Sequence, residues 1–239
     1  MAPDVKLTLV AFYGRKPKPL ADFIRWCQSL LAAMVPTGFS PYGVNQVHAT
    51  IVGLEGVRRG KQVLNANYLR AGQARPMDLI SAFDFLRRTT KLPFRVRFGG
   101  FHPGERYPFQ SLGQHPYQRS FEVQSSNAAV IIGWPETHCQ FPNALDELRR
   151  ELNHYNILHK YHAADKGIDN DLFLVLGRLD EMSAGHVNRE SINSSIRSRI
   201  SKREPLFVDL SLNYLSVVQY DDPELPPTRS TSSSLVGGR

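Results

Sequence analysis

Two short runs of strand-forming residues, SFEVQ and NAAVIIGW, are separated only by a turn around Ser125 to Asn127. Parallel strands need a crossover of about a dozen residues or more, so this spacing favours an antiparallel hairpin. It steers the chain away from a doubly wound parallel sheet. Another strand, in LPFRVRFGGF, places Phe94, Val96 and Phe98 on one side and Arg95 and Arg97 on the other, the alternation of a half-exposed strand. A first strand is expected in VKLTLVAFY, and one final strand pattern in FVDLSLNYLSVVQY.

Helices are expected between these strands. Phe23, Ile24, Cys27, Leu30, Leu31 and Met34 recur at helical spacing from Leu20 to about Val35, where Pro36 stops the pattern. A second apolar face runs from Pro76 to about Thr89, and PNALDELRRELNHYNI carries a stripe of Leu145, Leu148, Leu152 and Tyr155. Strands and helices mixed in this way predict an α+β fold. Residues 1–222 are read as one bilobal domain, and 223–239, ending in TRSTSSSLVGGR, as a flexible tail with too little apolar content to pack.

The hydrophobic and charged fractions, 41% and 21%, are those of a globular protein. A net charge of +7, spread over short clusters, favours an anionic partner. Cys27 and Cys139 lie far apart and match no metal-ligand spacing. No run approaches the length of a membrane span, and the N-terminus has the wrong order for a signal peptide, so the expected location is the cytoplasm.

Chemistry concentrates in NQVHATIVGLEG, residues 45 to 56. His48 and Thr50 are two apart in a strand-like run and project from one face. A phosphate ligand explains an imidazole beside a hydroxyl. The alternative is a histidine satisfied by a local hydrogen bond, with Thr50 present for its strand propensity.

His48-Ala49-Thr50-Ile51-Val52 resembles the first signature of the two-histidine (2H) phosphoesterases, the LigT-like cyclic phosphodiesterase superfamily. Its members carry two His-x-Thr/Ser motifs on facing strands, and the element order from about residue 5 to 220 is similar to theirs. The resemblance implies a bilobal fold with antiparallel sheets facing a central groove and helices outside. It implies His48 as a general acid or base and Thr50 as a phosphate-binding hydroxyl, without metal or cofactor. The implied partner is a cyclic nucleotide, an RNA end with a 2',3'-cyclic phosphate or a short oligonucleotide.

The second motif departs from that pattern. Leu176-Gly177-Arg178 preserve its ending, but Phe173 and Val175 stand where histidine and threonine are expected; shifting by one residue gives Leu172 and Leu174. His159 and His162, in the loop before this strand, are the candidate replacements for the second acid or base. Arg95, Arg97, Arg119 and Arg178 are candidate phosphate contacts, and each has an alternative role on a solvated face, in the core or in an ion pair. DKGIDND lacks the ligand spacing of a calcium loop and reads as a solvated turn; RSRISKRE, near 197 to 204, reads as solvated surface. Three readings stay open: a divergent metal-independent phosphodiesterase, a relative that captures a nucleotide or RNA end without turnover, and a structural or interaction module without a ligand, in which His48 lies in a packed core.

Overall fold

The computed structural model describes residues 4–164, 167–180 and 188–236. In chain order its elements begin with β1 (Leu7–Ala11), α1 (Lys18–Met34), β2 (Phe39–Pro41), β3 (Ala49–Gly53), β4 (Gly56–Arg59), β5 (Gln62–Asn65), α2 (Ala66–Arg70), α3 (Leu79–Arg88) and β6 (Phe94–Phe98). There follow α4 (Pro116–Arg119), β7 (Phe121–Val123), β8 (Ala128–Pro135), α5 (Ala144–Glu151), α6 (Lys160–Ala164), β9 (Leu172–Leu179), α7 (Arg189–Ser201), β10 (Leu206–Leu210), β11 (Leu215–Tyr220) and β12 (Ser230–Ser234). The strand pairs among the described residues are antiparallel. A four-stranded sheet has the order β12-β11-β1-β3, a six-stranded sheet has the order β10-β6-β8-β9-β2 with β7 also paired to β8, and β4 and β5 form a separate two-stranded sheet. The fold is therefore α+β, as expected.

Alternation decides what each face of the larger sheet meets. Leu172, Leu174 and Leu176 join the main core with Phe23, Ile24 and Leu31 of α1 and Ile192, Ile196 and Ile200 of α7. Phe173 and Val175 turn to the opposite face, where they pack beside Val130 and Ile132. That face meets the four-stranded sheet across a groove. Gly177 lets β2 close the sheet edge: its φ is +155°, and a Cβ there would lie 2.3 Å from the Ser40 carbonyl oxygen.

Several segments differ from expectation. FVDLSLNYLSVVQY is broken by a 3₁₀ turn at Leu212–Tyr214 into β10 and β11, which belong to different sheets. The helix expected in PNALDELRRELNHYNI, α5, ends at Glu151 and tightens into a 3₁₀ turn, Leu152–Tyr155, closed by Asn156 in the left-handed region. RSRISKRE overlaps the end of α7, a helix whose buried isoleucines are masked in the sequence by its serines and arginines. The tail expected to be flexible is ordered through residue 236. β12 pairs with β11, while Leu225 and Leu235 are buried. Backbone pairing and two apolar anchors hold a segment whose composition alone argues for disorder.

Candidate functional site

A β-bulge in β3 sets the presentation of the His-x-Thr stretch. Leu9 pairs with Val52 but Val10 pairs with Thr50, so the register shifts by one residue. Ile51 and Val52 consequently both enter the core, whereas Thr50 and Gly53 line the groove. His48, just before β3, lines it too. Its Nδ1 lies 2.7 Å from the Gln46 carbonyl oxygen; because a carbonyl only accepts, Nδ1 carries the proton and Nε2 keeps its lone pair. Burial holds the His48 pKa below the usual histidine value; the Gln46 bond opposes this and nearby Lys16 adds to it. Burial also lowers the Lys16 pKa, to about 8.

The groove has a volume of about 510 Å³. Phe173 and Val175, and not Leu172 and Leu174, line its other wall. Leu172 and Leu174 are fully buried behind it. An imidazole and a hydroxyl thus share a cavity with a phenyl ring and an isopropyl group.

The candidate second imidazoles part company. His159 lines the groove, with Nε2 2.8 Å from Asp169 Oδ2. Burial is the largest influence on it and lowers its pKa to about 4, although Asp169 acts in the opposite sense. His162 is instead held by Asp146, with Nε2 2.9 Å from Oδ1, and does not line the groove. A neutral buried histidine makes stability depend on pH. The unfolded chain takes up a proton below about pH 6.5 and the folded chain only near 4, so His159 removes about 3 kcal/mol of stability as pH falls through that window. Denaturant titrations at pH 7 and 4.5 should show this loss, and His159→Gln should flatten it. An equal loss in both proteins would refute the assignment.

Of the four candidate arginines, none reaches the main groove. Arg95 is exposed, 3.5 Å from Asp209. Arg97 bonds Glu136 and the carbonyls of Gly99 and Gly100, with its guanidinium over Phe101. Arg119 is buried among Ser111, Glu122 and Asp171. Arg178 bonds Tyr42, the Ser126 carbonyl and Glu224. The cations that line the groove are Arg70, Arg149 and Lys160. Arg70 bonds Asn67 at 2.6 Å, and Lys160 stands 4.8 Å from the centre of the Tyr161 ring.

Arg149 is the residue that most organises the site. It is 2% exposed. Its Nε donates to Ile51 O at 2.9 Å and its Nη2 to Thr50 O at 3.1 Å, while Nη1 donates to Asp169 O at 2.9 Å and lies 3.1 Å from Asp169 Oδ2. One guanidinium thereby fastens the bulged strand β3 to the segment entering β9. Its sequence signal is positional: Leu145, Leu148 and Leu152 form an apolar stripe, and Arg149 occupies the i+4 place within it.

DKGIDND is not the solvated turn expected of it. Residues 165 and 166 lie outside the described residues, but Asn170 Oδ1 accepts from the Leu145 and Asp146 amides at the start of α5. Asp171 accepts from Ser111, Arg119 and Trp134. At the far end of the groove, Tyr220 donates to Glu55 at 2.6 Å. Among the described residues, no three His, Cys, Asp or Glu side chains are grouped to hold a metal ion, and no helix is long and apolar enough to cross a membrane.

No protein-family model matches this chain, and neither does any curated protein. Among solved structures it is similar to TT0787 of Thermus thermophilus, with 15% identity and a TM-score of 0.42 over 95% of this chain and 93% of that one. It is also similar to E. coli LigT complexed with 3'-AMP, with 12% identity and a TM-score of 0.41 over 96% and 94%. A conserved protein of unknown function from Agrobacterium tumefaciens, ATU0111, has 13% identity and a TM-score of 0.42 over 87% and 82%.

Proposed function

We propose that this chain is a 2H phosphoesterase-like protein whose groove captures a ribonucleotide phosphoester and lacks the paired-imidazole machinery for efficient turnover. The observation that carries this reading is the placement of Phe173 and Val175 in the same groove as His48 and Thr50. A neutral His48 Nε2 is an acceptor and suits a ribose hydroxyl beside the phosphate better than the anionic phosphate oxygens. Thr50, Arg70 and Lys160 are the donors for those oxygens. Phe173 and Tyr161 offer aromatic surface to the base.

Titration with 3'-AMP tests the reading. His48→Ala and Thr50→Val should each weaken binding by about tenfold, the cost of one ligand hydrogen bond. Omitting the ligand's 2'-hydroxyl should reproduce the His48→Ala loss. Unchanged affinity in folded variants would refute the reading.

A second reading has one specific support, the presence of His159 in the groove. In it, His48 acts as base and His159 as a slow partner. Turnover of 2',3'-cyclic nucleotides that disappears in both His48→Ala and His159→Gln would favour it over capture alone.

A further inference from the structure

Beside the main groove lies a second cavity of about 240 Å³, and Gln124, Tyr161 and Phe173 line both. Its rim is unusual for a protein surface. Leu112, Tyr161 and Ile168 are 70%, 46% and 59% exposed and all line this one cavity. Leu112 is held at a φ of 49°, a conformation in which a bulky side chain is uncommon. Scattered exposed apolar residues need no explanation, but several around one hollow that opens off a polar groove do.

We infer that this annex holds the second nucleobase of a dinucleotide or oligonucleotide end, whose phosphodiester lies in the main groove. This deepens the proposed function and rests on it. Phe173 and Tyr161 stand where the two cavities join, with Arg119 5.8 Å from the centre of the Phe173 ring. They offer a stacking surface at the junction, while Leu112 and Ile168 cover the outer side of the annex.

The polar lining can pair with the edge of a base. Glu122 and Gln124 are two residues apart on and just after β7, and both line the annex. Glu122 Oε2 takes a bond from Arg119 at 2.5 Å; its other oxygen is available as an acceptor. The Gln124 carboxamide has no protein hydrogen bond among the described residues and can both donate and accept. A carboxylate acceptor beside a carboxamide suits a base with an exocyclic amino group, such as adenine. Stacking on Phe173 and Tyr161 favours the larger adenine ring over uracil, whose N3–H and neighbouring carbonyl can also pair with a carboxylate and a carboxamide.

Calorimetric titration of the full chain with three diesters tests this: adenosine 3'-(methyl phosphate), adenylyl-(3',5')-adenosine and adenylyl-(3',5')-uridine. The diadenosine compound should bind at least about tenfold more tightly than the methyl ester, as one added base stack implies, and more tightly than the uridine compound. Leu112→Asp and Ile168→Asp, both on the exposed rim, should abolish that gain and leave the methyl ester's affinity unchanged. If the methyl ester binds and the diadenosine compound gains nothing, the annex assignment falls while the groove reading stands. A gain that survives both substitutions would place the second nucleoside elsewhere and also overturn it. Equal binding of the adenine and uracil compounds would overturn the stacking preference for the larger base. If no diester binds, the groove reading fails, and the annex with it.

Discussion

Phe173→His combined with Val175→Thr is expected to raise hydrolysis of 2',3'-cyclic AMP by about 10² to 10⁴-fold over the unmodified chain, the usual worth of one positioned acid or base. The register of β9 already directs both positions into the groove that His48 and Thr50 line, so the change needs no backbone movement. Both replacements also fit the space: imidazole is smaller than the phenyl ring, and threonine nearly matches valine in shape. Arg119, 5.8 Å from the Phe173 ring centre, would disfavour the imidazolium form. The gained activity should therefore decline with rising pH earlier than an unperturbed histidine acid predicts. A folded double variant that binds 3'-AMP yet shows no rate gain would remove the argument that the second motif alone limits turnover.

Arg149→Met should cost about 3 to 5 kcal/mol of stability in denaturant titration, the range for breaking a buried ion pair from one side. The substitution preserves much of the side-chain length but leaves the Thr50, Ile51 and Asp169 carbonyls without these donors and strips Asp169 of its guanidinium partner. Adding Asp169→Asn should recover part of the loss, because the uncompensated carboxylate is then gone. Ligand affinity should fall as well, since the guanidinium holds β3 through the carbonyls beside the Thr50 side chain. A loss below about 1 kcal/mol would mean that packing, and not this guanidinium, holds the strand.

Where periodicity is strong, the elements are legible. α1 and α3 follow apolar stripes, β6 follows strict alternation, and β7 and β8 pair across the short turn that predicts them. α7 is obscured because three isoleucines four residues apart carry most of its buried face. The split between β10 and β11 is not legible because both halves are equally strand-like, and only their membership of different sheets distinguishes them. The candidate site divides in the same way. Spacing finds His48 and Thr50. Strand alternation singles out Arg95, Arg97 and Arg119 and the place after Gly177 singles out Arg178, but in the fold their charges are directed to carboxylates, carbonyls or solvent.

By itself the sequence determined the mixed antiparallel architecture, the pairing of His48 with Thr50 in one stretch, and the apolar run from Leu172 to Leu176 that ends at Gly177 and Arg178. These follow from local periodicity and residue identity, which need no knowledge of distant contacts. Tertiary structure alone decided that Phe173 and Val175, and not Leu172 and Leu174, face the groove, that His159 reaches it while His162 is held by Asp146, and that Arg149 pins the strand carrying Thr50. Each depends on which partner a polar or apolar group meets across the fold. Register and burial settle that choice, and neither is written in any short stretch of sequence.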